Sequence, residues 1–508
     1  MSRTRRATIV AFFSYVRFGL QFAALLLIPL IIASVGGRAY GFWLASGEAF
    51  AYAGLADLGV LGVLPWLVAK ADGRHDHDGI RRLLVNGSAV GVAVGLFYGL
   101  VVLSLCLVLP ALLKFTDADR DELIGPLVVL ALGGTIAMPL RVFQGALEGL
   151  QDVVFGGVAR TAQSLLTIVL TLVLLLTGYR LYALAIAATV PALLVGMASL
   201  ARFRVLAPHL LRGWERPRSA AVQGLFREGV GPWLSGWGWQ LSAASDGIII
   251  AMIGTPTAVT MLSVTSKLGR WLMQFCWVPG DSGLVGLAQL SGEERRDRVR
   301  SASVAMLRVY VGLSAVVACV VLASNRSFVG FWVGAELFAG RLTNGLVAAS
   351  IVALSLAHGM TVVTAVLGKR LEVGIVTLTS GALHVVLAYL FGRLWGLAGI
   401  VLATIVTQLL VVAPGIAPHL RETSGLTRSA LTREVIGPLA KGLVPLGLLA
   451  AVLGLVLPPT VWIGVPVGVL LGAVYLWSTR DLYLEYPPLQ RIWRRVTRFG
   501  PLARLSVG

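Results

Sequence analysis

Residues 86–110 read NGSAVGVAVGLFYGLVVLSLCLVLP, a run of 25 residues without a charged side chain. A helix that crosses the hydrocarbon core of a bilayer needs about 20 mainly apolar residues. This run therefore predicts a transmembrane helix. The chain holds fourteen stretches of this kind, with approximate limits 9–35, 41–66, 86–110, 123–143, 155–176, 181–201, 230–253, 258–285, 303–323, 342–367, 373–392, 397–417, 436–456 and 460–478.

The composition of the whole chain agrees with a membrane protein. Of its 508 residues, 57% are apolar and 13% are charged, and the mean hydropathy is +0.85. Soluble domains carry about 25% charged residues, so this chain lacks the hydrophilic surface that they need. Disordered, collagen-like and coiled-coil proteins are excluded on the same grounds. The sequence predicts an all-α, polytopic membrane protein with 14 transmembrane helices.

Basic residues collect on one side of the predicted membrane. The net charge of +18 would suggest a nucleic-acid partner in a soluble protein, but cytoplasmic loops of membrane proteins also collect Lys and Arg. The loops on the same side as the termini hold 28 Lys and Arg residues, and the opposite loops hold 7. Both termini are therefore predicted to be cytoplasmic, and no nucleic-acid partner is expected. The opposite loops are too short for a folded domain.

A weak internal repeat divides the first twelve predicted helices into two groups of six. Residues 31–36 (IIASVG) lie 218 positions before residues 249–254 (IIAMIG), and Gly149 lies 219 positions before Gly368. An even number of helices gives both groups the same orientation, so the repeat predicts two lobes related by a pseudo-two-fold axis along the membrane normal.

These features predict five regions. They are an N-lobe of helices 1–6, a basic cytoplasmic linker, a C-lobe of helices 7–12, the additional helices 13 and 14, and a basic cytoplasmic tail. Their limits are 1–201, 202–229, 230–417, 418–478 and 479–508.

Short motifs around the second predicted helix indicate a family. Residues 36–43 read GGRAYGFW, and residues 52–59 read YAGLADLG. With the plan of six, six and two helices, and with the stretches 144–151 and 367–369, the chain resembles the polysaccharide-flippase (Wzx-type) branch of the multidrug/oligosaccharidyl-lipid/polysaccharide exporter (MOP) superfamily.

The resemblance implies a function as well as a fold. It implies two lobes around a central cavity that opens alternately to each side of a bacterial cytoplasmic (inner) membrane. The implied cargo is a polyprenyl-pyrophosphate-linked oligosaccharide, moved from the cytoplasmic to the outer leaflet. A glycan polymerase or ligase is then the expected downstream partner, besides the lipid bilayer itself.

The eighth predicted helix carries four of the candidate substrate-binding residues. Lys267, Arg270, Trp271 and Gln274 follow the spacing i, i+3, i+4, i+7, so they share one helix face. The two cations lie about 13 and 18 Å from the start of the helix, too deep for simple contact with headgroups. Arg side chains bind pyrophosphate oxygens through paired hydrogen bonds.

Arg17 and Gln21 form a similar stripe on the first predicted helix, about 12 Å or more from its start. They complete the candidate substrate-binding set. Four other basic residues lie near predicted cytoplasmic helix ends and are expected to snorkel or contact headgroups: Arg141, Arg160, Arg308 and Lys441.

Three acids also lie within predicted helices, namely Glu48, Asp57 and Asp246. An unpaired charge in the membrane is costly, so these acids either pair with the deep cations or bind a coupling ion. Glu48 and Asp57 are nine residues apart and fall on opposite faces of a straight helix. A bend at Gly54 would bring them closer.

The remaining signals predict no catalysis and no resident cofactor. Residues 75–78 (HDHD) are interpreted as a solvated charge run rather than a metal site, and residues 117–119 (DAD) as an outer loop rather than a transferase motif. His358 and His384 are interpreted as packing residues rather than proton relays. The cysteines predict no disulfide. No Walker loop is present, so a proton or sodium gradient is the expected energy source.

Two alternatives use the same plan of helices. A multidrug/cation antiporter would need a cavity dominated by acids, which the Lys267 and Arg270 stripe does not favour. A lipid II flippase of peptidoglycan synthesis is the other alternative. A membrane-bound glycan polymerase or ligase would need a substantial outer loop, which the sequence lacks.

Overall fold

A computed structural model describes most of the chain, namely residues 3–54, 59–72, 75–211, 217, 219–292, 296–456, 458 and 460–484. Every regular element in these ranges is a helix. Ten helical segments among them are long and apolar enough to cross a bilayer. The predicted all-α membrane fold is confirmed. The chain divides into two compact units, unit 1 (Met1–Thr260) and unit 2 (Met261–Gly508).

Unit 1 holds ten complete helices within the described ranges, and glycines let them pack closely. A Cβ at Gly95 would stand 2.7 Å from the carbonyl oxygen of Thr135, and one at Gly133 would stand 1.9 Å from the Thr189 side chain. Such small residues are typical of helix interfaces in membranes. The helices are α1 (Arg3–Leu25), α2 (Ile28–Val35), α3 (Gly37–Ala53), α4 (Val60–Asp72), α5 (His77–Leu112), α6 (Asp117–Gly149), α7 (Val153–Leu176), α8 (Arg180–Leu206), α9 (Ser219–Ala243) and α10 (Asp246–Ile253).

Unit 2 is built around α12, which packs against α13, α17 and α18. Cys319 of α12 forms a buried cluster with Ala450 and Leu471, so the two C-terminal helices that lie outside the repeat cover the ninth predicted helix. The helices are α11 (Pro256–Gly292), which begins in unit 1, and α12 (Arg296–Trp332), α13 (Arg341–Val366), α14 (Arg370–Thr407), α15 (Ala413–Ser424), α16 (Arg428–Leu431), α17 (Gly437–Val456), α18 (Val461–Ser478) and α19 (Asp481–Leu484).

Three of the fourteen predicted stretches are helical but are not among the ten apolar segments. The described residues of the stretch 41–66 lie on α3 and α4, and the stretch 230–253 is divided between α9 and α10. The stretch 258–285 lies on α11, which carries Lys267 and Arg270. Interruptions and charges are costly in a bilayer, so these helices are the first candidates for function.

The breaks in the first and seventh predicted helices have the same register. Pro29 lacks the N–H that would bond the preceding turn, and α2 starts afresh at Ile28. The helix α10 starts at Asp246, 218 residues later, and both α2 and α10 are 8 residues long. The segments that contain the repeated residues 31–36 and 249–254 therefore also share the position of a helix break and the length of the helix that follows it.

The helix corners α6–α7 and α13–α14 also correspond. Gln151 has φ +59° and Gly368 has φ +110°, so each corner turns at one left-handed residue. These residues are 217 positions apart, which makes Gln151, and not Gly149, the structural equivalent of Gly368. Beyond Gly368, α14 contains a kink at Gly396, with φ 58° and ψ −139°, where the sequence predicts a short outer loop.

An ion pair ties each corner to the helix that closes its six-helix group. In unit 1, Arg202 of α8 donates to the Asp152 carboxylate at 2.8 Å. In unit 2, Lys369 lies 2.7 Å from the Glu422 carboxylate of α15, and its hydrogen bond to Glu422 raises the pKa of the Lys369 ammonium. The two pairs occupy equivalent positions with opposite polarity.

Candidate functional site

Unit 1 contains a cavity of about 600 Å³ between α1, α6, α7 and α8. Arg17 and Gln21, two of the predicted substrate-binding residues, line it together. Its volume lies within the usual range of small-molecule sites, roughly 300–1,000 Å³. Apolar side chains such as Phe13 and Leu147 form part of its wall, and the other polar lining residues are Gln144, Glu148, Asp152, Arg160, Thr161, Gln163, Ser164, Thr167 and Ser199.

Two cations and two carboxylates line this cavity, namely Arg17, Arg160, Glu148 and Asp152. Arg160 donates to the Glu148 carboxylate at 2.6 Å, and Arg202, which is outside the lining, pairs with Asp152. Among the described residues, the Arg17 guanidinium has no ion-pair partner, and the charge that acts on it is that of Arg160. Both carboxylates therefore have another partner, and Arg17 is the lining cation that can pair with an anion.

The cavity includes residues that the sequence interpretation missed. Arg160 was expected to snorkel, but it lies in the cavity wall with Gln163, Ser164 and Thr167 of α7. These four residues follow the spacing i, i+3, i+4, i+7, the pattern that marked the stripe on the eighth predicted helix. The signal was therefore present, on a helix apolar enough to be taken for a simple membrane span.

The predicted stripe Lys267, Arg270, Trp271 and Gln274 lies on α11. On the opposite face of α11, the carbonyl of Thr265 accepts a bond from Asn325 of α12 at 2.8 Å. Trp277 follows Arg270 by seven residues and so lies near the stripe's own face, where its indole donates to Ser355 of α13 at 2.8 Å.

The four stripe residues lie between Thr265 and Trp277 along α11 and remain partly accessible. Lys267, Arg270 and Trp271 are half-buried, and Gln274 is exposed. The Trp271 ring stacks on Phe275, with centroids 6.2 Å apart. The four residues thus share a face that combines two cations, an amide and an aromatic platform, which is suited to a phosphorylated sugar. Their role in binding stays a prediction.

Two of the three predicted acids meet in unit 1. The Glu48 carboxylate of α3 accepts a hydrogen bond from the Gly247 N–H at 2.6 Å, beside Asp246, the first residue of α10, which is buried. The break between α9 and α10 frees this N–H, and the N-terminus of a helix favours negative charge. Asp57 lies outside the described residues.

This acid pair has the chemistry of a cation or proton site. A broken helix near the middle of the membrane is a common ion site in transporters, because unwound backbone can supply further ligands. Tyr52 of α3 lies beside both acids, and its ring packs on Trp237 at 6.0 Å. No group of three or more His, Cys, Asp or Glu side chains able to hold a metal was found within the described residues.

Other predicted motifs have structural roles. Asp76 accepts from the Gly79 N–H at 2.7 Å and caps α5, so the run 75–78 marks a helix start. Asp119 pairs with Arg38 at 2.9 Å and belongs to the capping box of α6. Arg308, which was expected to snorkel, is buried and donates to the backbone carbonyl of Glu434 at 2.8 Å.

The sequence matches one known family. Residues 77–281 match the profile of the family described as "Polysaccharide biosynthesis protein", which supports the resemblance indicated by the motifs at 36–43 and 52–59. Among curated proteins, none matches the chain significantly.

Solved structures of MOP-superfamily proteins share the fold. The lipid II flippase MurJ, in an inward closed conformation, is 11% identical with a TM-score of 0.66, and the match covers 93% of this chain and 99% of MurJ. An inward-facing multidrug resistance MATE family transporter is 16% identical (TM-score 0.62, 78% and 95% covered). An outward-facing MATE family transporter is 15% identical (TM-score 0.59, 83% and 95% covered). At these identities the matches show the fold.

Proposed function

We propose that this chain is a flippase for polyprenyl-pyrophosphate-linked oligosaccharide. The match of residues 77–281 to the polysaccharide biosynthesis family and the MOP-transporter fold support this proposal. The cargo would move from the cytoplasmic to the outer leaflet during surface polysaccharide export. The proposed location is the cytoplasmic membrane of a bacterium, with both termini in the cytoplasm. A glycan polymerase or ligase would take over the cargo on the outer side.

The observation that carries this proposal is the Arg17 guanidinium, which lines the cavity in unit 1 and has no ion-pair partner among the described residues. A lipid pyrophosphate carries about two negative charges, and Arg binds its oxygens through paired, charge-assisted hydrogen bonds. Arg17 supplies the unmatched cation, and Gln21, Gln144 and Gln163 supply amides for sugar hydroxyls. A cavity for a cationic drug would need an acid, rather than a cation, without such a partner.

The stripe on α11 is the second proposed contact with the cargo. In unit 2, Lys267 and Arg270 would attract an anionic headgroup, and Trp271 would offer a ring face to a sugar. The polyprenyl tail would remain in the lipid, because burying it in a polar cavity would lose its favourable hydrocarbon contacts.

Transport would proceed by alternating access. MATE family transporters of this fold have been seen inward-facing and outward-facing, which supports such a cycle for this chain. A proton or sodium gradient would drive the return step, with Glu48 and Asp246 as the candidate ion-binding groups. In this proposal the chain performs no catalysis and needs no bound cofactor.

The test uses proteoliposomes that contain the purified full-length protein. Three fluorescent cargoes are compared: a polyprenyl-pyrophosphate oligosaccharide, lipid II and a cationic dye. We expect rapid passage of the first cargo between leaflets and slow passage of the dye. Passage of the dye alone would contradict the proposed function and favour an antiporter. Passage of lipid II alone would favour a lipid II flippase instead.

A matched pair of variants tests the stripe on α11 in the same assay. Arg270→Ala should slow passage of the oligosaccharide lipid, since it removes a proposed pyrophosphate contact. Arg298→Ala is the control, because Arg298 is exposed near the start of α12. Equal rates of passage in both variants would leave the proposed cargo unchanged but would show that Arg270 does not contribute to its binding.

A further inference from the structure

Unit 2 contains a titratable cluster that no part of the proposed cargo site uses. The Asp281 carboxylate of α11 accepts a hydrogen bond from the Tyr310 hydroxyl of α12 at 2.7 Å. The same oxygen, Oδ1, lies 3.2 Å from Nε2 of His358 on α13. Three helices therefore meet at one carboxylate oxygen.

The imidazole of His358 is held by aromatic rings as well as by the acid. The Trp277 indole stacks face to face on it, with centroids 3.8 Å apart and planes 5° apart. The Tyr310 ring meets it edge-on at 5.3 Å. An ionised carboxylate only accepts hydrogen bonds, so the tautomer of His358 that can bond to an ionised Asp281 is the one with its proton on Nε2. An indole face and a carboxylate both stabilise an imidazolium.

The surroundings fix this geometry. The Trp277 indole donates to Ser355, which itself pairs with Ser314. A Cβ at Gly280 would stand 2.4 Å from the Tyr310 ring, and one at Gly359 would stand 2.8 Å from it. Two glycines thus let the Tyr310 ring pack close to both α11 and α13.

Several other charged groups on the packed helices have partners of their own. On α12, Arg308 donates to backbone carbonyls and Arg300 pairs with Glu434. At the start of α14 and on α15, Glu372 and Glu422 both pair with Lys369. The remaining titratable or charged side chains of α12, α14 and α15 are Arg296, Asp297, Arg298, Cys319, Arg326, Arg370, His384, Tyr389, Arg393, His419 and Arg421.

The cluster is not sealed inside unit 2. The Asp281 side chain is 44% exposed and the His358 side chain is 19% exposed. In the predicted topology, His358 is nine residues from the cytoplasmic end of its helix, about 14 Å along the axis. The carboxylate therefore lies partly at the protein surface, while His358 itself is mostly shielded.

We propose that His358, Asp281, Tyr310 and Trp277 form a proton-binding site that controls the position of α11. Uptake of one proton at Nδ1 makes His358 an imidazolium and strengthens its link to Asp281. Asp281 lies eleven residues after Arg270 on α11 and therefore on nearly the same helix face. Protonation thus holds the Lys267 and Arg270 stripe against movement, an inference that rests on the proposed function.

The first experiment follows the proton and needs no transport. The full-length protein in detergent is labelled with ¹⁵N-histidine, and His358→Gln identifies one signal among the 6 histidines. The expected result is a one-proton titration of the His358 signal between pH 5 and 9. A His358 signal that stays unchanged over this range would overturn the proposal.

The second experiment measures flipping of the oligosaccharide lipid in proteoliposomes with equal pH on both faces. The expected wild-type rate falls about tenfold between pH 8 and pH 6. His358→Gln, which can still donate to Asp281 but cannot titrate here, should give a ratio near one, whereas His209→Gln, an exposed control, should behave as wild type. Asp281→Asn should weaken the response, because the imidazolium loses its counter-charge.

The outcomes separate the two proposals. Full pH dependence in a stable His358→Gln variant would overturn the proton site and leave the flippase intact. An absence of flipping by wild type at every pH, with normal titration of His358, would count against the flippase and leave the proton site standing. Thermal unfolding of each variant in detergent identifies misfolded protein. If His358→Gln proves to be misfolded, Asp281→Asn tests the proton site in its place.

Discussion

The corner α6–α7 of unit 1 and the corner α13–α14 of unit 2 share a backbone but not a charge pattern. Each turns at a left-handed residue, Gln151 or Gly368, and each is tied by an ion pair to a later helix. The corner supplies the acid in unit 1 and the base in unit 2. Coulomb attraction does not depend on which partner is positive, so the repeat keeps the position of the tie while its polarity is free to change.

The same divergence extends to the neighbouring sites. Next to its corner, unit 1 has a cavity with the permanent cations Arg17 and Arg160. In unit 2, the position 217 residues after Arg141 is His358, the centre of a titratable cluster. One duplicated framework thus holds permanent cations at this place in unit 1 and an imidazole beside a carboxylate in unit 2; the proposals assign the first to an anionic cargo and the second to a proton.

The largest expected effect is on Arg17. Arg17→Gln should slow flipping of the oligosaccharide lipid about 10- to 100-fold, because a hydrogen bond to a charged group contributes about 1.5–3 kcal/mol. Arg204→Gln is the control, since Arg204 is exposed on α8 and does not line the cavity. Unchanged flipping by the Arg17 variant would mean that unit 1 is not the anion-binding half.

The next effect concerns the corner of unit 1. Arg202→Gln should destabilise the protein by about 1–3 kcal/mol, because it leaves a mostly buried carboxylate without its cation; the Asp152 side chain is 13% exposed. The measurement is the apparent Tm in detergent. The double variant Asp152→Arg/Arg202→Asp should recover part of the loss by adopting the polarity of unit 2. A double variant less stable than Arg202→Gln would contradict the view that polarity is free.

The left-handed residues give a smaller and opposite pair of effects. Gly368→Ala should destabilise by about 1–2 kcal/mol, because a side chain disfavours positive φ, and Gln151→Gly should stabilise slightly by relieving the same strain. Unfolding of both variants in detergent checks this. Equal effects of the same sign would show that the two corners are not backbone equivalents.

The smallest effect is expected at the corner of unit 2. Lys369→Gln should leave the apparent Tm almost unchanged, because exposed ion pairs contribute little, and the Glu422 side chain is 60% exposed. The effect of this variant should be clearly smaller than that of Arg202→Gln. A decrease in apparent Tm as large as that of Arg202→Gln would contradict the expectation that the difference in burial makes the ion pair of unit 2 the weaker one.

The sequence predicted the membrane fold because apolar length alone identifies most spans, as residues 86–110 illustrate. It also placed Arg17 and Gln21 together, since they share one face of one helix. It did not predict the approach of Asp281 to His358, which are 77 residues apart and meet only through tertiary packing.

The break before Asp246 was also unpredicted, since neither residue between α9 and α10, Ala244 or Ser245, is Pro or Gly. Instead, the Ser245 hydroxyl donates to the Leu241 carbonyl at 2.6 Å, and such bonds often bend helices. The place of Arg160 in a cavity wall was not predicted either. Its nearness to a helix end was noted, but only the packed structure shows that the polar stripe of α7 lines a cavity together with α1.

The most direct test of the central claim locates the cargo in unit 1. A photo-crosslinking amino acid is placed at Gln163, in the cavity wall, or at Leu165, an exposed position on α7 outside that wall. The protein is then irradiated with radiolabelled polyprenyl-pyrophosphate oligosaccharide. We expect strong labelling of the glycan at position 163, loss of that labelling with Arg17→Gln, and little labelling at position 165. Equal labelling at both positions, or labelling at 163 that is indifferent to Arg17, would contradict this expectation.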